Sequence, residues 1–287
     1  MLTPAQRTVQ WLSPVGLQTL AYQEWGDPEN PHVLLCVHGL TRAGNDFATL
    51  AATLSDRVRI IAPDMPGRGR SDWLPNGALY TIPNYVAACV ALAARADAVT
   101  LDWLGTSMGG LIGMGFASLP HNTIRKLILN DIGPVLDLDA LQRIGNYLAQ
   151  APHFPTRAHA VNFVRTNSAP FGAHTDAQWQ MLTDNVLKPD GDGFKLHYDP
   201  AIGEVFQAVT PELTAQNQMA LWQAYDAISA ETLLIRGRES DLLSLDTAHA
   251  MQARGPRARL VEIEDVGHAP TFMNESQIRV IEEFLFG

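Results

Sequence analysis

The stretch AVTLDWLGTSMGGLIGMGFASL, residues 98–119, passes from an apolar, β-branched run into a glycine-rich one through a single serine. Its first part reads as a buried strand and the rest as a helix, with Gly105-Thr106-Ser107-Met108-Gly109 at the join. Gly109, Gly110 and Gly113 are poor choices for an isolated helix, but they suit one pressed tightly against a sheet. A G-x-S-x-G between strand and helix must turn very tightly, so that the serine projects from the strand end in a strained backbone and its flanks stay small. The helix that starts there aims its first amides and its dipole at an anion. Ser107 is therefore the candidate nucleophile, and the Met108 amide, which opens the helix, a candidate oxyanion donor.

Outward from this stretch the same strand, turn, helix rhythm recurs. HVLLCV (32–37), RVRIIAP (57–63), IRKLILND (124–131), ETLLIRG (231–237) and ARLVEIE (258–264) read as further strands. Between them, Phe47, Leu50, Ala51 and Leu54 fall on one helical face, as do Tyr85, Cys89 and Leu92 after the N-cap Thr81 and the first-turn Pro83. TAHAMQAR is stopped by Gly255 and Pro256, and a last helix after Asn274 buries Ile278, Ile281 and Leu285. This pattern predicts an α/β fold with a mostly parallel central sheet flanked by helices. Between Gly133 and Met219 the strand pattern disappears, and DALQRIGNYLAQ and TDAQWQMLTDNVLK read as helices joined by turns such as KPDGDG and YDPAIG. The expected organisation is a core domain of residues 1–132 and 220–287 with a helical cap, 133–219, inserted in it.

Composition narrows the function. In 287 residues, 46% hydrophobic and 17% charged, there is no scope for a disordered chain or a long solvated coil. A net charge of −10 offers neither a nucleic-acid backbone nor an anionic membrane a broad basic face. The start MLTPAQRTVQWLSPVG lacks the basic and apolar blocks of a signal peptide, and no 18-residue window is uninterruptedly apolar. Cys36 and Cys89, each inside an apolar run, read as small buried hydrophobes. The four histidines between 153 and 197 have no ligand spacing, no Walker lysine follows a glycine loop, and no dinucleotide fingerprint opens the first unit. A cytoplasmic protein in a reducing compartment is expected, with no metal, no cofactor, and no nucleic-acid or membrane partner.

A nucleophilic serine needs a base and an orienting acid on neighbouring loops of the sheet's carboxyl edge, in the chain order Ser, Asp, His. His268, in VGHAP just beyond ARLVEIE, fills the base position. For the acid, Asp241 in RGRESD beyond ETLLIRG is favoured by chain order, while Asp131 in NDIGP also ends a strand on that edge. His38-Gly39-Leu40 closes the first buried strand, where a loop folds back so that the Leu40 amide becomes the other oxyanion donor; His38 is read as shaping that loop. Arg68 and Arg70 in PGRGRSD are read as tying the turn to neighbouring acids, with a substrate carboxylate as the alternative ligand. Trp73, Phe154, Phe163, Phe171, Trp179 and Trp222 are read as core or lid packing, with one or two walling an apolar pocket.

Taken in order, HGL, DMPGRGRSD, GTSMGG, NDIGP, RGRESD and GHAP resemble the α/β-hydrolase superfamily over nearly the whole chain apart from the cap. The resemblance implies a nucleophile at Ser107, an acid at Asp241, a base at His268, oxyanion donors at Leu40 and Met108, and a lid formed by the segment after Asp131. One departure is Thr106, where many relatives carry histidine. The function implied is hydrolysis of a small carboxylic ester through an acyl-serine, without a cofactor. A carbon-carbon bond hydrolase, an enol-lactonase, a thioesterase and a perhydrolase would use the same residues, and a non-catalytic small-molecule receptor is the alternative of a different class.

Overall fold

In a computed structural model, residues 3–287 are described except for 137–140, 143, 146–147, 149–151 and 208. The strands are β1 (Ala5–Ser13), β2 (Gly16–Trp25), β3 (His32–Val37), β4 (Arg59–Pro63), β5 (Thr100–Thr106), β6 (Ile124–Asn130), β7 (His153–Phe154), β8 (Leu187–Asp190), β9 (Gly193–Leu196), β10 (Glu231–Gly237) and β11 (Arg259–Ile263). Eight of them form the central sheet in the order β1-β2-β4-β3-β5-β6-β10-β11. From β4 to β11 every neighbour is parallel, whereas β1 and β2 run antiparallel at one edge. This is the α/β hydrolase architecture, and it brings the loops after β3, β5, β6, β10 and β11 out on one edge of the sheet.

The sheet is buried on both faces because its central strands are apolar at consecutive positions, which point to opposite sides. On one side Leu35, Trp103, Leu127 and Leu234 pack with Tyr85, Cys89 and Leu92 of the helix Ile82–Ala96 and with Ile112 of the helix Met108–Ala117. On the other, Leu34, Cys36, Leu104 and Ile128 meet Phe47, Leu50, Ala51 and Leu54, and Ile278, Ile281 and Leu285 of the helix Glu275–Phe286. Both cysteines are free and buried. Asn274 caps the last helix through the Gln277 amide at 3.0 Å.

The antiparallel edge hairpin is absent from the strands expected from sequence. Its first strand alternates: Trp11 and Ser13 are buried while Gln10 and Leu12 are exposed. Ser13 faces Gly16 across a two-residue tip, a spacing that marks a hairpin.

The segment between β6 and β10 also departs from the all-helical expectation. It holds the helices Arg157–Asn167, Asp176–Asp184 and Pro211–Asp226, but also a three-stranded antiparallel sheet in the order β7-β9-β8. The KPDGDG stretch is the tip of its hairpin, with Asp190 opposite Gly193 and Gly191 at φ 59°, a conformation that favours glycine. The helix expected over 139–150 lies partly outside the described residues. Residue 219, the expected end of the cap, falls inside the helix Pro211–Asp226.

This segment is tied to the core on two sides. Arg42 donates to the Leu182 carbonyl at 2.7 Å, and Asn185 bonds Asn45 at 2.6 Å and Asp46 at 2.8 Å. Opposite, the Gly267 amide donates to Pro170 at 2.7 Å, His174 pairs with Thr271 at 2.8 Å, and Gln178 donates to the Met273 carbonyl at 3.0 Å. Among the described residues no helix is long and apolar enough to cross a membrane.

Candidate active site

Ser107 sits between the end of β5 and the helix Met108–Ala117 with φ 53° and ψ −115°, the strained turn that the pentapeptide requires. A Cβ on Gly105 would strike the Gly109 carbonyl, and one on Gly109 would strike the Val37 carbonyl. Only glycine permits this approach of strand, turn and helix. The Ser107 amide donates to the Asn130 carbonyl at 3.0 Å, and its own carbonyl accepts from Gly110 and Leu111 at 2.8 and 3.1 Å.

His268 reaches the serine from the loop after β11. Its Nε2 lies 2.9 Å from Ser107 Oγ, and its Nδ1 lies 2.6 Å from Oδ2 of Asp131. A carboxylate on Nδ1 holds the proton there and leaves Nε2 to accept from the serine hydroxyl. The expectation that Asp241 stands beside the imidazole is corrected here. Strands β6 and β10 are adjacent, with Asn130 opposite Ile235, so Asp131 emerges directly over the turn that leaves β10. Its backbone at φ 55° is one that aspartate tolerates better than most residues, and it aims the side chain along the sheet edge. Asp241 lies further along the next loop and lines the cavity that also contains Ser107 and His268.

Asp131 is fully buried, and its carboxylate is well supplied with donors. Oδ1 accepts from the Gly237 amide at 2.9 Å, and Oδ2 accepts from Ser240 Oγ at 2.6 Å as well as facing His268. Sequence reasoning passed over Ser240 because a serine beside an aspartate carries no pattern of its own. Asn130 was also missed: its side-chain amide donates to Thr106 at 3.0 Å and to the Pro270 carbonyl at 2.9 Å, joining the serine turn to the histidine loop.

The loop after β3 approaches Ser107 from the other side. His38 is buried, with Nδ1 2.6 Å from the Gly39 carbonyl and Nε2 accepting from the Met65 amide at 2.9 Å. Burial in this dry position lowers its pKa from 6.5 to about 4, so the ring is neutral and spans two backbone segments, as its place in the sequence suggested. The Arg42 amide also donates to Gly39, at 3.2 Å, closing a turn over Leu40. Met108 is the first residue of its helix, where the amide has no intrahelical acceptor. Arg70 lies 3.9 Å from Asp64, in keeping with the turn-bracing reading, whereas Arg68 is fully buried and donates to the Leu40 carbonyl at 2.8 Å.

Two cavities meet at Leu40, Ser107, Ile144 and Leu242. The larger, about 490 Å³, holds His268 and carries the polar side chains of Thr41, Arg42, Asn167, Ser168 and Asp241 on its walls. The smaller, about 250 Å³, is mainly apolar, walled by residues such as Met108, Leu111, Ile132, Val205 and Phe206. Of the aromatic residues singled out from sequence, Phe171 lines the larger cavity. Phe154 packs on Phe163 with ring centres 5.2 Å apart, and Trp179 packs on His174 at 4.9 Å.

Residues 34–282 match the family model described as the alpha/beta hydrolase family. The chain is 47% identical over 289 aligned positions to a 3-hydroxybutyrate-oligomer hydrolase of Cupriavidus necator, covering 99% of both chains. It is 25% identical to a 2-hydroxy-6-oxo-2,4-heptadienoate hydrolase of Pseudomonas putida, over 89% of each. The crystal structure of an alpha/beta hydrolase from Novosphingobium aromaticivorans superposes with a TM-score of 0.85 at 32% identity, over 99% of both chains. With a strained serine at the strand-to-helix turn and a histidine beside it, and with these likenesses running along nearly its full length, the chain belongs to the α/β hydrolase family and is an enzyme of it.

Proposed function

We propose that this enzyme hydrolyses short oligomers of 3-hydroxybutyrate, cutting the ester between units through an acyl-serine. The observation that carries the chemistry is the continuous line from Asp131 through His268 to Ser107. The substrate class rests on the 47% identity, along 99% of both chains, to the Cupriavidus necator hydrolase.

His268 takes the proton from Ser107 as the oxygen attacks the ester carbonyl, and Asp131 stabilises the imidazolium that forms. The Leu40 and Met108 amides hold the negative oxygen of the tetrahedral intermediate. His268 then returns the proton to the leaving alcohol, which therefore departs through the larger cavity, where that histidine stands. The acyl unit occupies the smaller, apolar cavity beside Met108. A water activated by His268 releases the acid in the second half of the cycle. Residues between β6 and β10 wall both cavities and act as the lid that keeps the substrate short.

The test is release of monomer from the purified dimer and trimer of 3-hydroxybutyrate, measured beside p-nitrophenyl butyrate, with the wild type and Ser107→Ala. Monomer formation by the wild type alone is expected. Hydrolysis of the chromogenic ester without cleavage of the oligomers would remove the substrate assignment and leave the esterase mechanism. Equal rates in Ser107→Ala would remove both.

A further inference from the structure

Arg68 is among the largest fully buried side chains of the molecule, and it is charged. A guanidinium in such a place is costly unless its donors are answered by hydrogen bonds. Its Nε donates to the Leu40 carbonyl at 2.8 Å. Nη1 donates to the Pro66 carbonyl at 2.7 Å and to the Tyr85 hydroxyl at 2.6 Å. Nη2 lies 3.5 Å from the Met108 sulfur, a weak acceptor. The guanidinium carbon lies 5.2 and 5.8 Å from the ring centres of Tyr85 and Tyr80. Among the described residues, no carboxylate lies within the 4 Å of an ion pair.

The two residues gripped or touched by this cation, Leu40 and Met108, are those whose amides hold the oxyanion in the reading above. We propose that Arg68 is a positioning residue of the oxyanion hole, holding the Leu40 turn from behind and backing the hole with a buried charge that reaches the nearest carboxylate, Asp199, only through the Tyr80 and Tyr85 rings. The inference rests on the acyl-serine reading of the site.

Positioning follows from how the turn is held. The Gly39 carbonyl is occupied by His38 and by the Arg42 amide, and the Leu40 carbonyl by Arg68. With both carbonyls drawn into the protein, neither is left to present its negative end to the cavity. The charge adds a second effect. In the dry interior a fixed cation favours the state in which the carbonyl oxygen of the substrate has become an oxyanion, and affects the neutral ground state little. Arg68 therefore acts on kcat more than on KM.

The experiment compares wild type, Arg68→Lys, Arg68→Met and Tyr85→Phe, with kcat and KM for p-nitrophenyl butyrate, inhibition by a trifluoromethyl ketone, and thermal midpoints. Loss of one oxyanion donor costs about 100- to 1000-fold in kcat, and loosening one is expected to cost Arg68→Met about 10- to 100-fold with KM nearly unchanged. Arg68→Lys keeps the charge but cannot hold three acceptors in a fork, so its kcat falls between the two. Tyr85→Phe removes one partner of Arg68 and leaves the Leu40 contact, so its loss of kcat is expected to be smaller than that of Arg68→Met.

The ketone, which forms an oxyanion adduct, should weaken in parallel with kcat/KM across the series, a correlation that a merely structural role would not produce. Should Arg68→Met not fold, Arg68→Lys alone decides: wild-type kcat in that variant overturns the proposal. A loss that follows KM or thermal midpoint, with ketone affinity unchanged, overturns it as well. Failure of the wild type to hydrolyse any ester would instead strike the acyl-serine reading itself.

Discussion

Ser240 Oγ donates a 2.6 Å hydrogen bond to Oδ2 of Asp131, the same carboxylate oxygen that faces His268. Together with the Gly237 amide on Oδ1, it fixes both ends of the carboxylate from the loop on which the acid itself was expected.

The assignment of the acid follows from that arrangement. Asp131→Asn is expected to lower kcat by about 10⁴, because an amide in that position favours the wrong imidazole tautomer. Asp241→Asn should change kcat little. Steady-state kinetics on the two variants decide the matter, and the reverse ranking would return the role to Asp241. Ser240→Ala should fall between them, since Asp131 keeps the Gly237 amide and His268 but loses one charge-assisted bond.

The serine turn is the least tolerant part of the site. Gly109→Ala places a methyl on the Val37 carbonyl, a backbone contact that cannot step aside. Overpacking typically costs about 1 to 3 kcal/mol, and an obstacle of main chain, which cannot change rotamer, puts this substitution at the upper end. Loss of soluble folded protein, or a sharply lowered midpoint in urea, is expected. Gly191→Ala is the control, since nothing lies near a Cβ there and only the cost of its positive φ is felt.

Stability should respond to the buried ring of His38. Its folded pKa, about 4, lies below the ordinary histidine value of 6.5. Between these values the unfolded chain binds a proton that the folded one does not, so stability rises with pH through this window and levels off above it. At pH 4 the contribution lost amounts to about 3 kcal/mol. Urea midpoints measured from pH 4 to 8 for wild type and His38→Gln should diverge as the pH rises from 4 to 6.5 and run parallel above. Parallel curves throughout would show that His38 is not the titrating group.

The aromatic residues between β6 and β10 divide into two kinds. Phe171→Ala opens the cavity beside Ser107 and should shift the ranking of kcat/KM across esters of different alcohols, with one methylene contact worth about 1 to 3 kcal/mol. Phe154→Ala removes a buried ring that packs on Phe163, so it should cost stability, about 3 to 5 kcal/mol, and leave the ranking unchanged. Identical rankings in wild type and Phe171→Ala would mean that this wall does not select the substrate.

What could be read in the sequence was what local sterics dictate. The turn at Ser107 tolerates only small neighbours, so its residues announce it, and His268 follows from the order in which loops leave a parallel sheet. The same chain order favours Asp241 over Asp131 as the acid and misleads there, because β6 and β10 are neighbours and both carboxylates emerge at one edge. The choice depends on the left-handed backbone of Asp131 and on donors from Gly237 and Ser240, which only tertiary structure brings together. The hairpin of β8 and β9 was obscured because its short strands include lysine, proline and aspartate, residues with little strand preference, although the Asp-Gly tip was visible.

The hydrogen bonds that bind the segment between β6 and β10 to the core bear on how such enzymes can be recombined. Leu182 and Asn185 are held by Arg42, Asn45 and Asp46, while Pro170, His174 and Gln178 are held by the stretch from Gly267 to Met273. Both anchorages flank Ser107. The segment is therefore not an interchangeable module: a transplant from a relative that left residues 42–46 and 267–273 unmatched would strip partners from the loops carrying Leu40 and His268. The unit of exchange is the segment together with those two core loops, and chimeras cut at its sequence ends alone would disturb catalysis before they altered specificity.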